Sequence, residues 1–412
     1  MHAGDTTAAN ATDAVICSWG NEYIVSWYKA NNTPQLDITK PGSGTIYRVP
    51  MPLFTILDMA VLDNNLYFCG RSTTGDNSYG VMGWVNLNNT ISTPSTDIRY
   101  VFLGNVNSIN KLTVYFDGNT PHIAAIGETF VTLTFTYSNY SFIDCLYNSA
   151  SPTMLTINTR PFSTLERYDD IMETNKHIVC VGYYSYMMGP SFCYRKVPKS
   201  NLADAAFDTV HFYNGGDEAL STTHSTALYG NLIAVSYLAQ DSQENNVTRI
   251  RIINTANNTN TMAFEYRVSE EIDYNDIVYV PKGDALIVMQ DYVLNQWRNT
   301  NFMYVHLFAI CPYQSVVEYK PREYFESLAV YNDHYYLTAS GAKWMYKDAT
   351  SLPTGYPDAG CPKYANKNVD AISTLTHIKK RNALPYSSET NHVFSMPTFV
   401  SNMTMTVECI NQ

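Results

Sequence analysis

One pattern recurs along this chain and limits what it can fold into: a short apolar strand, a tight turn of Asn, Asp or Gly, and a second apolar strand. It reads AVICSWGNEYIVSW at 14–27, DMAVLDNNLYFCG at 58–70, KLTVYFDGNTPHIAAIG at 111–127 and DIMETNKHIVCVG at 170–182. It returns as STALYGNLIAVSY at 225–237, DIVYVPKGDALIVMQ at 276–290 and SLAVYNDHYYLTAS at 327–340. Gly and Asn tolerate the positive φ that tight hairpin turns require. The seven copies stand mostly 50 to 60 residues apart.

Two more candidate strands follow most copies. After the second they are YGVMGWVNL at 79–87 and DIRYVFL at 97–103; after the fifth, VTRIRIINT at 247–255 and MAFEYRV at 262–268; after the sixth, NFMYVHLFAI at 301–310 and SVVEYKP at 315–321. The first copy is compressed, with QLDIT at 35–39 and TIYRVP at 45–50 as its outer strands. A four-stranded antiparallel unit repeating at this period cannot bury both faces alone, so neighbours must stack. The expectation is an all-β β-propeller of four-stranded antiparallel blades over residues 13–348, seven blades preferred, six or eight remaining open.

Residues 1–12 read as a flexible N-terminal tether after a removed signal, and 349–412 as an irregular C-terminal segment. HVFSM at 392–396 and TMTVECI at 404–410 either complete blade seven, or one of them crosses to blade one and latches the ring.

At the level of architecture, residues 12 to 348 resemble β-propeller repeat proteins of the exported bacterial type. The resemblance carries no functional family. No Trp-Asp dipeptide closes a blade, Gly215-Gly216 is the only double glycine of the kelch kind, and the Ser-x-Asp-x-Gly-x-x-Trp box of sialidases is absent.

Composition narrows the function classes. Only 15% of residues are charged, 33 are tyrosines, and the net charge is -11. Phosphate-backbone binding needs clustered Lys and Arg, so a nucleic-acid partner is not expected. The densest basic run is Lys379, Lys380, Arg381. No apolar run reaches the roughly eighteen residues of a membrane span. The Tyr/Asn/Thr-rich, Lys-poor surface points to export, with an extracellular, periplasmic or cell-surface location and a possible surface tether through the N-terminus.

Two groups of residues could carry function. Tyr183, Tyr184, Tyr186, Tyr292 and Trp297 fall in segments read as loops on the face shared by the strand two-to-three and blade-to-blade connections. Such rings can stack on sugars or fill a partner's pocket; the alternative is that they pack on their own loops. Asp58, Asp170 and Asp276 stand just before the inner strand of copies two, four and six, with Ser225 and Ser327 in the same place in copies five and seven. Converging at a channel mouth, three carboxylates could hold a hard cation such as Ca²⁺ or act as acid–base groups. The alternative is that each accepts backbone N–H groups and fixes the chain between blades. No other cofactor or catalytic motif is present.

Eight cysteines form no CxxC pair. Cys180 and Cys193 flank a turn near Met187 on one hairpin, which suggests proximity and a disulfide. The leading expectation is a secreted or surface binding module for a glycan or protein, without catalysis. The alternatives are a carbohydrate-active enzyme with channel-mouth carboxylates and a structural subunit of a surface assembly.

Overall fold

The computed structural model describes residues 2–4, then most of 11–348, the longest interruption being 200–208, then short strands between 372 and 408; side chains are described in part between 15 and 288. The chain is all-β. The described helix Leu87–Ser92 is short, and the Asn86 side chain caps it by accepting the Asn89 N–H at 2.9 Å.

Among the described residues the strands form seven antiparallel sheets of three to five strands, and one two-stranded pair. Each hairpin read from the sequence supplies the first two strands of one sheet. These are Ala11–Trp19 with Tyr23–Ala30, Thr55–Leu62 with Asn65–Thr74, and Ser108–Asp117 with Thr120–Thr132. Next come Glu166–Glu173 with His177–Tyr186 and Ala219–Tyr229 with Leu232–Gln240. Ile272–Val280 with Ala285–Leu294 and Phe325–Tyr331 with His334–Ala339 complete the series. The second sheet continues through Asn77–Asn86 and Ser95–Leu103, and the fifth through Asn246–Asn254 and Thr259–Arg267, so each is a meander of consecutive strands.

The chain divides into two compact units. One holds Met1–Thr159, Glu323–Ala349 and Pro385–Gln412; the other holds Arg160–Arg322 and Thr350–Leu384. Within the first unit, Ala11–Trp19 runs beside both Thr55–Leu62 and Phe325–Tyr331, and Thr55–Leu62 beside Ser108–Asp117. Within the second, Ala219–Tyr229 runs between Glu166–Glu173 and Ile272–Val280. First strand thus lies next to first strand, and the sheets stack face to face. Trp27, Leu36 and Val49 of the first sheet bury against Ile56, Phe68 and Val81 of the second; Phe192 and Tyr194 of the fourth bury against Val235 and Tyr237 of the fifth. The Phe192 and Tyr237 rings stack at 4.5 Å.

A local irregularity repeats with the sheets. In all seven, the pairing of first and second strand shifts register near the start of the first strand: Thr12/Val15, Ile56/Asp58, Ile109/Lys111, Tyr168/Asp170, Ser221/His224, Ile272/Tyr274 and Phe325/Ser327. An extra residue there bends the strand and pushes backbone toward its partner. Gly70 faces Ile56 and Gly182 faces Tyr168 at this point. A Cβ at Gly70 would meet the Thr55 carbonyl oxygen at 1.9 Å, and one at Gly182 the Arg167 carbonyl oxygen at 2.1 Å.

The chain ends depart from expectation. His2–Gly4, inside the segment read as a tether, pairs with Thr406–Glu408; residues 5–10 lie outside the described set. His392–Pro397 does not complete the seventh sheet but adds a fifth strand to the second, against Ser95–Tyr100. Phe399–Asn402 likewise adds to the outer strand Thr45–Pro50 of the first sheet. In the second unit Ile372–Thr376 adds to Thr209–Tyr213 of the fourth. The physical reason is that an outer strand presents unpaired N–H and C=O groups, which any extended segment can satisfy. The seventh sheet has three described strands, the third being Ala342–Asp348.

Candidate functional site

The aspartates sit on the first strands, at the repeated irregularity or just past it. Each captures the N–H of its own successor: Asp58 that of Met59, Asp170 that of Ile171 at 2.9 Å, Asp276 that of Ile277 at 2.8 Å. Each also reaches a neighbouring sheet. Asp58 Oδ2 accepts the Leu112 N–H at 2.9 Å, and its Oδ1 lies 3.7 Å from Lys111 Nζ. Asp170 Oδ2 accepts both the N–H and the hydroxyl of Ser225 at 2.7 Å. Asp276 Oδ1 lies 3.8 Å from His224 Nδ1. These contacts tie first strands to one another. Ser225, read as holding the place of Asp in the fifth copy, is the residue the fourth copy's Asp170 grips. Burial raises the Asp58 carboxyl above the usual carboxylate range, against the pull of Lys111 and the two N–H donors. Among the described residues, no three His, Cys, Asp or Glu side chains converge on a point that could hold a metal ion.

The aromatic residues lie on strand ends, not in long loops. Tyr183, Tyr184 and Tyr186 belong to His177–Tyr186, where Tyr186 pairs with Gly189 across a two-residue connection. Tyr292 ends Ala285–Leu294 and Trp297 begins Trp297–His306, with Leu294 paired to Trp297. The side chains of Tyr186, Tyr292 and Trp297 lie outside the described residues. Because strand neighbours alternate faces, Tyr183 and Tyr184 part company. Tyr184 is 7% exposed and belongs to the interior, a correction to its reading as a loop contact.

Tyr183 is half-buried and pairs with Arg167 across the first two strands of the fourth sheet. Arg167 Nη1 donates to the Tyr183 hydroxyl at 3.0 Å, and the guanidinium carbon lies 5.4 Å from the ring centroid. Arg167 Nε donates to Asp169 Oδ1 at 3.1 Å, and Asp169 Oδ2 accepts the Thr223 N–H at 3.3 Å. Burial raises the Asp169 carboxyl, opposed by Arg167 and Thr223. Asp169 stands in the sequence as one half of the adjacent acidic pair Asp169-Asp170, whereas no motif there points to Arg167. Their signal was the alternation ERYDD at 166–170, which sends Arg167 and Asp169 to one face and Glu166 and Tyr168 to the other.

That other face is internal. Arg195 is fully buried and pairs with Glu166; the Tyr168 hydroxyl donates to Glu166 Oε2 at 2.9 Å, and Arg195 Nε donates to the Tyr168 oxygen at 3.2 Å. The Arg195 guanidinium also lies 5.0 Å from the Phe162 ring centroid. This network anchors the strand end that carries Arg167.

Cys180 and Cys193 share one hairpin, but the ladder pairs Cys180 with Arg195 and Cys193 with Gly182. They are diagonal neighbours, for which separations of about 7–8 Å are usual, beyond disulfide reach. Both are free thiols. The expected bond assumed a turn centred one residue too early.

No family model matches the chain, and no curated protein matches it. Among solved structures it is similar to the crystal structure of a GH43_12 retrieved from capybara gut metagenome, at 9% identity over 97% of this chain and 98% of that one, with a TM-score of 0.19. A likeness at that TM-score carries no argument. What the strands and their pairing define is a class: an all-β chain of repeated antiparallel meander sheets.

Proposed function

We propose that the sheets are the blades of a β-propeller, seven by the count of repeated hairpins, and that the chain is an exported binding module for a glycan or protein. The contact patch of this reading is Tyr183 with Arg167 at the end of the fourth sheet. The observation that carries it is their mutual bracing. The guanidinium is held by the Tyr183 hydroxyl and the Asp169 carboxylate, on strands and not on a loop. Tyr and Arg are the side chains that most often dominate contact energies, and fixing them beforehand lowers the entropy lost on binding. The three aspartates favour structural work in this reading, since each already accepts backbone N–H groups.

The test is a glycan array and a surface-protein capture with the native chain, Tyr183→Ala and Arg167→Ala. Either variant is expected to lose binding by about 2 kcal/mol or more while unfolding near the native temperature. Ligands captured equally by both variants would move the patch elsewhere. Release of new reducing ends from a captured glycan would instead favour the carbohydrate-active alternative.

A further inference from the structure

At the end of the fourth sheet away from Arg167, basic side chains gather that are scattered in the sequence. The hairpin turn carries Lys176 and His177, and the third strand, Gly189–Pro198, returns Lys196 and then Lys199 beside them. Val179 pairs with Lys196 and His177 with Pro198, and the Lys199 N–H donates to the Lys176 carbonyl at 3.0 Å. All four basic groups therefore gather at one end of this ladder, His177 and Lys196 within it and Lys176 and Lys199 just beyond its last row.

The described counter-charge is small. Glu173 takes Lys199. Lys196 Nζ donates to the Thr255 carbonyl of the fifth sheet at 2.7 Å, a neutral partner, and no ion pair to Lys196 is found among the described residues. The fifth sheet docks its own turn here, with the Asn175 N–H donating to the Gly230 carbonyl at 3.2 Å. That turn brings Tyr229 and Asn231, and the turn after Asn254 brings Thr255, Ala256, Asn257 and Asn258, so neither adds a carboxylate. In a chain of net charge -11, this corner is locally positive. Burial, then Lys196, Lys176 and Lys199, hold the His177 imidazole below its usual range, and burial lowers the Lys196 ammonium too. Among the described residues His177 Nδ1 and Asn231 Oδ1 are buried atoms with no hydrogen-bond partner.

We propose that this corner binds a tetrahedral oxyanion, a sulfate or phosphate group, through Lys176, Lys196 and His177. An ammonium has three donors, so Lys196 can keep Thr255 and still face an anion. The site is separate from the Tyr183 patch and does not depend on it. A bound dianion offsets the repulsion that disfavours the imidazolium, so binding and protonation of His177 reinforce each other.

The experiment is an NMR titration of the histidine side chains in the full chain, with His177 assigned by the loss of its signal in His177→Gln. Sulfate or inorganic phosphate should raise the His177 midpoint by about half a pH unit or more relative to chloride at equal ionic strength. Lys176→Ala, an exposed position, should abolish that rise while the remaining histidine signals stay in place. A rise no larger than chloride produces, or one retained in a folded Lys176→Ala chain, overturns the proposal. A sulfated oligosaccharide acting at lower concentration than inorganic phosphate identifies a glycan as the source of the group; the reverse order identifies free phosphate.

Discussion

The backbone of Arg167 occupies the space that a side chain on Gly182 would need: a Cβ there would stand 2.1 Å from the Arg167 carbonyl oxygen. Gly70 and Thr55 repeat the relationship in the second sheet at 1.9 Å. The glycine and the extra residue opposite it are two halves of one device.

Gly182→Ala and Gly70→Ala are therefore expected to lower stability by about 2 kcal/mol or more, because backbone has to move. Gly118, at a turn with φ of 61° and nothing within 4 Å of a built Cβ, supplies the contrast. Gly118→Ala should cost only the left-handed backbone penalty of about 1 kcal/mol. Urea midpoints of the three variants check the order. Equal losses would mean that the close approach relaxes at little cost.

Asp170 and Ser225 should be energetically coupled. The carboxylate accepts two hydrogen bonds from Ser225, so Asp170→Ala and Ser225→Ala together should cost less than the sum of the single changes. A coupling of about 1 kcal/mol is expected, since the backbone N–H remains when the hydroxyl is removed. A double-mutant cycle by thermal or urea unfolding measures it, and strict additivity would show that the tie contributes nothing.

Asp58 gives a pH dependence with a definite sign. Burial raises its carboxyl, so the folded chain holds that proton more tightly than the unfolded chain does. This contribution is fully present below the unfolded value of about 3.9 and is lost as pH rises through the folded value. Asp58→Asn removes it. The melting temperature of the variant relative to the native chain should therefore improve between about pH 3.5 and pH 7. A difference that worsens over that range would place the folded carboxyl below its usual value.

The two adjacent tyrosines should behave oppositely. Tyr184→Ala empties buried space and should cost about 3 kcal/mol or more, whereas Tyr183→Ala, at a half-buried ring, should cost clearly less. Chemical denaturation of both variants decides it, and the reverse order would place Tyr183 in the interior.

Thiol chemistry tests the hairpin register. Cys69, Cys145, Cys180 and Cys193 are buried free thiols, and burial pushes Cys69, Cys145 and Cys193 well above the ordinary thiol range. Alkylating reagents should label them only after unfolding. Peptide mapping without reductant should return Cys180 and Cys193 unlinked, and a linked peptide would require the register to shift.

What could be read from the sequence follows from what side chains record. The seven hairpins were visible because apolar alternation and Asn, Asp or Gly turns belong to side-chain chemistry. The repeated irregularity is a backbone event, and its only trace was the glycine closing the second, third and fourth hairpins, at 70, 127 and 182. Partners of the late strands could not be read, because the edges they cover offer only main-chain groups. Asp58, Asp170 and Asp276 were found by their repetition, yet sequence spacing does not show that Asp170 reaches Ser225 in the next copy. Lys176 and Lys199 stand 23 positions apart in the sequence, and only the folded hairpin brings one against the other.

The late strands also set an order of events. Ser95–Tyr100 emerges early in synthesis and waits for His392–Pro397, close to 290 residues further on. At about 5–20 residues per second, that is roughly 15–60 s. Through that interval the nascent second sheet offers an open edge to any passing extended chain. A holdase chaperone that covers this edge during that interval should therefore raise the yield of folded chain.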